Sequence, residues 1–315
     1  MIHHTSKLII ISAIIITILV IAISSYFLYD NYNREHFKTS DKKYKLGIVS
    51  IFKNEQDYMQ EWLDFHIAQG FEQFYLYSND PDLTKYPYLN LQKYNGYIKI
   101  IDWVQKQNNG INTIQRQAYS DCVKKYGNEC QFMLLLDLDE FVHPYKNFNT
   151  VNDYIVSLKD NWKEIAAFKI QRFNFGSSGH IFKPQIPVSV AYTKHEKICS
   201  SYKTLANTDY VDSTKNFYGV HDFPYKHLDK KLKIFNAYLN YDTGFPSGCN
   251  PNNQNEIPLV INHYYTKSYE EFLQRAKLWE NGGINPIKHR MYSDDLDDSI
   301  IKFNSFDHND TEEFE

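Results

Sequence analysis

Two aspartates one residue apart, Asp137-Leu138-Asp139, follow directly on Phe132-Met133-Leu134-Leu135-Leu136, the most apolar short run beyond the N-terminal segment. A run of that length and character predicts a buried central strand. Side chains alternate along a strand, so carboxylates at i and i+2 point the same way where the strand leaves its sheet. Two carboxylates there can hold a divalent cation, Mn²⁺ or Mg²⁺, whose remaining shell comes from substrate phosphates. Such a cation bridges a diphosphate and stabilises charge on a leaving group.

That chemistry needs a scaffold that brings several strand ends together. Strands are predicted over 46–52, 74–77, 98–103, 132–136 and 166–172. Helices are predicted from Asn54-Glu55 through Ile67, stopping at Gly70, then over 112–126, 151–158 and 268–279. A long stretch containing Gly and Lys runs on to about His221. Alternating strands and helices predict an α/β domain with a mixed, mostly parallel sheet flanked by helices. In such sheets the ligand crevice lies outside the C-terminal strand ends.

The N-terminal organisation is equally plain. Residues 1–7 form a short tail, and from Leu8 to Tyr29 there is no charged residue, enough apolar chain to cross a bilayer as one helix. A cleaved signal peptide usually has a shorter apolar part and a small-residue cleavage site. Residues 30–44 read as a polar stem, 45–293 as the folded domain and 294–315 as an acidic tail. The anchor predicts a single-pass membrane protein. Lys7 precedes the span, whereas Arg34, Lys38, Lys42, Lys43 and Lys45 follow it, which favours a cytosolic domain. Long C-terminal domains override that bias, so a lumenal domain of the Golgi or ER type stays open. Asn309-Asp310-Thr311 is a glycosylation sequon that has meaning only in a lumen.

A formal net charge of −4 and the lack of a basic block exclude a nucleic-acid footprint. Cys122, Cys130, Cys199 and Cys249 lack the close spacing of zinc or redox sites. Aromatic residues make up 16% of the chain, a bias that suits sugar stacking and equally a drift in composition.

Several segments occur in a recognisable order: Glu61-Trp62-Leu63-Asp64-Phe65-His66, Gly70, Tyr75-Leu76-Tyr77-Ser78-Asn79, Asp137-Leu138-Asp139-Glu140-Phe141, Phe175-Gly176-Ser177-Ser178-Gly179-His180 and His263-Tyr264-Tyr265-Thr266-Lys267-Ser268. Together they resemble glycosyltransferase family 92 and the related family 2-like group, over roughly residues 46–280. The resemblance implies a GT-A (Rossmann-like) fold, a nucleotide-sugar donor such as a UDP-sugar, Mn²⁺ or a similar cation, and inversion at the anomeric carbon. Galactose is the first sugar it suggests, with a glycan or glycoprotein hydroxyl as acceptor.

Carried over by position, Asp137 and Asp139 match the family's metal and diphosphate pair, with Glu140 beside them. Phe52, Lys53, Asn54 and Glu55, and Asn79 and Asp80, fall at strand ends where GT-A enzymes hold the nucleotide. Asn54-Glu55 reads equally as a helix cap with a first-turn acid. Gly176, Ser177, Ser178, Gly179 and His180 fall near the sugar or acceptor, and their glycines also permit a plain tight loop. His221 and His263 compete as third metal ligand. Lys267 could meet the diphosphate, or be a surface lysine. An inverting transfer needs a base; the available carboxylates are Asp222, the first choice, Glu196 and Glu271.

Two other classes share part of this pattern. Haloacid dehalogenase-type phosphatases also place Asp-x-Asp after an apolar strand, but on their first strand. A membrane-tethered nucleotide- or sugar-binding protein would keep the fold without turnover.

Overall fold

The computed structural model describes residues 42–104, 111–144, 147–196, 201–228, 231–240, 245–249, 257–281 and 306–307, with backbone alone at 111–112, 237–240, 245–249, 276–281 and 306–307. The anticipated membrane span over 8–29, nearly all of the stem and most of the acidic tail lie outside them. Among the described residues no helix is long and apolar enough to cross a membrane.

The strands are β1 (Tyr44–Phe52), β2 (Gln73–Ser78), β3 (Ile98–Asp102), β4 (Cys130–Leu135), β5 (Glu140–Pro144), β6 (Ile165–Asn174), β7 (Lys194–His195), β8 (Ser201–Asn207), β9 (Lys233–Phe235), β10 (Ala237–Asn240), β11 (Phe245–Cys249), β12 (Leu259–His263) and β13 (Phe306–Asp307). The helices are α1 (Met59–Ala68), α2 (Ile111–Tyr126), α3 (Val151–Ser157), α4 (Val188–Ala191) and α5 (Tyr269–Asn281). One sheet runs β3-β2-β1-β4-β8-β6-β12-β5, with β9 also on β6. The β3, β2, β1 and β4 strands are parallel neighbours, and β6 is parallel to β12 and β9. β8 is antiparallel to both β4 and β6, and β5 to β12. The anticipated mixed, mostly parallel α/β sheet is therefore present.

Parallel strands buried on both faces require apolar side chains throughout. All six residues of β2 and all six of β4 are buried. The core packs Leu46, Ile48, Phe74, Leu76, Phe132 and Leu134 against Trp62, Leu63 and Phe71. On the other face Val49, Tyr75, Met133 and Leu135 meet Ala118, Tyr119 and Cys122 of α2. Cys122 is a buried free thiol, and Cys130 is buried with its Sγ 3.6 Å from the Tyr75 hydroxyl.

The Glu61–His66 segment has a structural explanation. β5 ends the sheet, and the backbone groups on its open edge need partners. Trp62 and His66 lie one helical turn apart on α1. Trp62 donates Nε1–H to the Glu140 carbonyl (2.8 Å), and His66 Nε2 accepts from Val142 N–H (3.2 Å). His66 Nδ1 donates to the Trp62 carbonyl (2.8 Å). These two bonds require neutral imidazole, and burial pushes its pKa down to about 3. Above about 6.5 the folded and unfolded chains are both unprotonated here. Below it the unfolded chain binds a proton that the fold refuses, so stability falls as pH drops towards 3. Between pH 6.5 and 5 this one group is expected to cost about 2 kcal/mol. Thermal melts should show that acid slope in the unaltered protein and lose it in His66→Gln.

Two sequence-based expectations need correcting. The helix anticipated from Asn54 begins only at Met59, because Asn54 takes a left-handed φ of 58° and residues 56–58 form a turn. Asn54 is therefore no helix cap. The long stretch containing Gly and Lys before His221, to which the sequence assigns no element, contains β8, a full strand at the centre of the sheet. Its Ser-Tyr-Lys-Thr-Leu-Ala-Asn sequence lacks an apolar run, since its buried positions include Lys203, Thr204 and Asn207.

Candidate active site

The loops after β1, β2 and β4 emerge at one edge of the sheet, as parallel pairing demands. Asn79 N–H bonds to the Phe52 carbonyl (2.9 Å) and Leu136 N–H to Val49 (3.3 Å). Across the sheet, His263 stands opposite both Glu140 and Asn174 in strand register. The Asp137–Asp139 segment thus meets the end of β12 where β5, β12 and β6 lie side by side.

The two aspartates do not sit on a strand. β4 stops at Leu135, and Glu140 N–H closes a turn on the Asp137 carbonyl (3.1 Å). Strand alternation consequently does not aim the carboxylates together, and each has its own partners. Asp139 Oδ1 is 3.4 Å from His263 Nε2, and its Oδ2 is 3.4 Å from Arg275 NH1. Asp137 Oδ2 is 2.7 Å from Lys203 Nζ, and its Oδ1 accepts from Gln115 Nε2 (2.7 Å). Burial opposes ionisation of both carboxyls. Lys203 nevertheless lowers Asp137, and His263, Arg275 and Lys267 hold Asp139 well below the usual carboxylate range.

The Asp139 side fits a cation. His263 Nδ1 donates to Asn174 Oδ1 (2.6 Å), which leaves the Nε2 lone pair directed at the Asp139 carboxylate. Burial keeps His263 below its ordinary pKa against the pull of Asp139. In the tautomer that donates to Asn174, Asp139 Oδ1 and His263 Nε2 face each other as two acceptors. A cation held by these two groups would satisfy both. A hydrogen-bonded second nitrogen is the usual support of a metal-bound imidazole. Among the described residues no three His, Cys, Asp or Glu side chains converge to hold a metal. The expected four-ligand set of Asp137, Asp139, His221 and His263 divides into two. His221 lies on the Asp137 side, where burial, Lys203 and Arg172 push its pKa down to about 3.

Lys267 is buried, has a left-handed φ of 55° and lies 3.6 Å from the Tyr58 ring centre and 4.0 Å from Glu55 Oε2. Burial lowers Lys267 while Glu55 opposes; burial raises Glu55 while Lys267 opposes. It is not a surface lysine. Lys53 is exposed, and Phe52 is buried edge-on against Tyr86. Asn79 and Asp80 are buried. Asp80 Oδ2 accepts from Asn54 N–H and Tyr86 OH (both 3.1 Å), and Tyr86 OH accepts from Glu55 N–H (3.1 Å). Asp80 thereby shapes the backbone of Asn54 and Glu55, with its carboxylate turned into the fold.

The Gly176–Gly179 segment is a clip. Ser178 and Gly179 both have left-handed φ (50° and 86°), and His180 N–H bonds to the Ser177 carbonyl (2.9 Å), a type I′ turn. Ser178 Oγ accepts from Thr193 and Lys194 N–H (2.9 Å each), while His180 Nε2 donates to the Ala191 carbonyl (2.9 Å). Gly176 N–H bonds to the Lys194 carbonyl. Glu140 has no exposed side-chain surface and pairs with Arg172 (2.8 Å). It cannot touch an acceptor from there.

The three carboxylates considered as base all have structural partners. Asp222 pairs with buried Lys169 (2.9 Å) and accepts from Tyr225 OH (3.0 Å). Glu196 is buried and accepts from Asn174 N–H (3.0 Å). Glu271 forms a capping box with Ser268 at the start of α5 and accepts from the hydroxyls of Tyr58 and Tyr192 (3.1 Å for the latter). Glu271→Gln is accordingly expected to keep at least about a third of any turnover while losing about 1 kcal/mol of stability. A hundredfold loss in kcat with an unchanged melt would return Glu271 to the role of base.

Sequence reading missed Lys203 and Arg275. Lys203 was hidden by the unpatterned strand β8. Arg275 lies one turn beyond Glu271 on α5, and that spacing was the available signal.

An α/β sheet thus presents an acidic turn beside buried Lys203 and Lys267 and part-buried Arg275 at its strand ends, where the ligand crevice of such sheets lies. The sequence matches the glycosyltransferase family 92 description over residues 43–298, and the chain belongs to that family. It is 24% identical over 239 residues to a glycosyltransferase family 92 protein of Ricinus communis, covering 75% of this chain and 38% of that protein. Relatives from Arabidopsis thaliana (23% over 186 residues, 56% and 31% covered) and Oryza sativa (23% over 237 residues, 73% and 35%) carry the same family name. The chain thus spans less than two fifths of the length of these relatives.

Proposed function

We propose that the protein is a divalent-cation-dependent, inverting hexosyltransferase, moving galactose in the first instance from a UDP-sugar to a hydroxyl of a glycan or glycoprotein. Family membership supports the transferase class, and the facing acceptors Asp139 and His263 carry the cation reading. Asp139 and His263 would hold Mn²⁺ or Mg²⁺, with diphosphate oxygens completing its shell. When bound, that ion supplies Lewis-acid stabilisation of the leaving nucleotide. Arg275 and Lys267 flank Asp139 and lend positive charge to the same oxygens. Asn174 keeps His263 in the tautomer with Nε2 unprotonated. In the same reading residues 8–29 anchor the enzyme in a membrane.

The test is a donor screen on the full chain in detergent with Mn²⁺ and a panel of UDP- and GDP-sugars. Nucleotide release from one donor, abolished by chelation and by Asp139→Asn, is the expected result. Hydrolysis of phosphate monoesters with no sugar donor consumed would replace it with a phosphatase, and nucleotide binding without any turnover with a tethered binding module.

A further inference from the structure

The loop that follows the Gly176–Gly179 clip carries an apolar surface that the transfer chemistry leaves unused. His180 Nε2 and the Ala191 carbonyl (2.9 Å) tie its two ends together. Its underside is fixed to α1 and the turn before it. Lys183 Nζ pairs with Asp57 (2.7 Å), and the N–H groups of Val188 and Ser189 donate to the Glu61 carboxylate (2.9 and 3.4 Å). Pro184 and Pro187 restrict the backbone between these feet. A loop closed and footed in this way is a compact Ω-type loop with a defined upper surface.

That surface is Ile181, Phe182, Ile186 and Val190, which are 51–72% exposed. Among the described residues Leu83, Leu91, Ile100, Val104 and Val156 reach only 36–43%, and Tyr218 alone exceeds the four. Apolar side chains scattered singly over a surface need no explanation, but four from one short loop form a contact surface. From His180 to Thr193 the chain holds no acid, and Lys183 is its one lysine or arginine. An apolar crown with a basic residue and no acid of its own matches the interface of a lipid bilayer.

The lip borders the candidate site. Tyr58 joins the two, with Lys183 Nζ 4.7 Å and Lys267 Nζ 3.6 Å from its ring centre. Tyr269 and Glu270, where α5 begins, donate N–H to the carbonyls of His180 and Ile181 (3.0 Å each), and α5 also carries Arg275 to Asp139. A bilayer is within reach. With residues 8–29 in a membrane, residues 30–43 extend at most about 50 Å. The chain enters the domain at Tyr44, and β1 then covers about 30 Å to the edge of the sheet where the lip stands.

Resting on the proposed transferase reading and its anchor, we propose that this lip seats in the surface of a lipid bilayer and that the acceptor hydroxyl belongs to a lipid-linked sugar. The hydrocarbon of that acceptor stays with Ile181, Phe182, Ile186 and Val190 while its sugar meets the donor. UDP-sugar and the lipid-linked hydroxyl then become glycosylated lipid, UDP and a proton.

The test uses the full chain in phosphatidylcholine vesicles with brominated acyl chains. The tryptophan of Phe182→Trp should be quenched at least about threefold more strongly than that of Val156→Trp on α3, each measured against the unaltered chain. A second arm compares kcat/KM on octyl and methyl glycosides of the common hexoses. The unaltered chain should prefer an octyl glycoside over its methyl partner by at least about thirtyfold. Ile181→Ser combined with Phe182→Ser should cut that preference to about threefold or less, since burial of two such side chains is worth at least that factor. Equal quenching at positions 182 and 156 would overturn the seat on lipid, and protection of position 182 from aqueous iodide as well would give the lip to a second copy of the chain. No preference for any octyl glycoside, a protein acceptor taken instead, or a preference that survives in the double variant would overturn the lipid-linked acceptor. An unaltered chain that releases nucleotide from no donor would overturn the transferase reading, and the quenching arm would still decide the seat on lipid.

Discussion

Asp139→Asn is expected to reduce nucleotide release from the sugar donor about a thousandfold, or ~4 kcal/mol of transition-state stabilisation. Asparagine keeps the shape of the side chain but removes the charge that, with His263 Nε2 at 3.4 Å, would hold the proposed cation. The fold should survive. Arg275 NH1 retains its bond to the Tyr265 carbonyl (2.8 Å), and the Asp139 carbonyl still accepts from Tyr264 N–H (2.8 Å). Melting temperature should therefore move little while turnover disappears. Asn174→Ala is the companion variant. It frees His263 Nδ1, so it should cost about 10–100-fold in Mn²⁺ affinity without touching the ion itself. A full rate in Asp139→Asn would remove the cation from the reaction.

Glu140→Ala is expected to have the largest effect on stability, about 3–5 kcal/mol. Glu140 is fully buried and sits between Arg172 (2.8 Å) and Lys203 (3.4 Å). Removing it takes away the carboxylate that both Lys203 and Arg172 contact, and buried charge that loses a partner is far more costly than a missing contact. The variant also frees Asp137 N–H, which Glu140 Oε2 accepts. Denaturant titration of unaltered and Glu140→Ala protein measures the difference through the midpoint at constant slope. A change under about 1 kcal/mol would mean that water reaches the network. Because the same side chain orders the turn, turnover should fall along with stability, in contrast to Asp139→Asn, where only turnover falls.

The contrast between these two adjacent acids shows where sequence reading stops. Apolar continuity over 132–136 announces a central strand, because a strand buried on both faces has no polar position to spare. The four parallel strands β1 to β4 and the carboxylates at their ends were legible for that reason. His263, Lys267 and the α5 helix were legible as segments, and the family to which they belong could be recognised from their order.

What each acid does was decided by partners far away in the chain. Asp137 is paired by a lysine 66 positions on, Asp139 by a histidine and an arginine from β12 and α5. A turn in place of a continued strand sends the two carboxylates to different neighbours. Lys203 escaped notice because a lysine in an unpatterned segment reads as a solvated loop. Only the antiparallel insertion of β8 between β4 and β6 buries it. Glu271, Glu196 and Asp222 read as free carboxylates for the opposite reason: their donors, a helix cap with tyrosine hydroxyls, a strand amide and a buried lysine, are brought to them by folding. Periodicity and local chemistry determine which segments become strands and helices. Charge pairing across the sheet depends on register and strand order, and those arise only when distant segments pack.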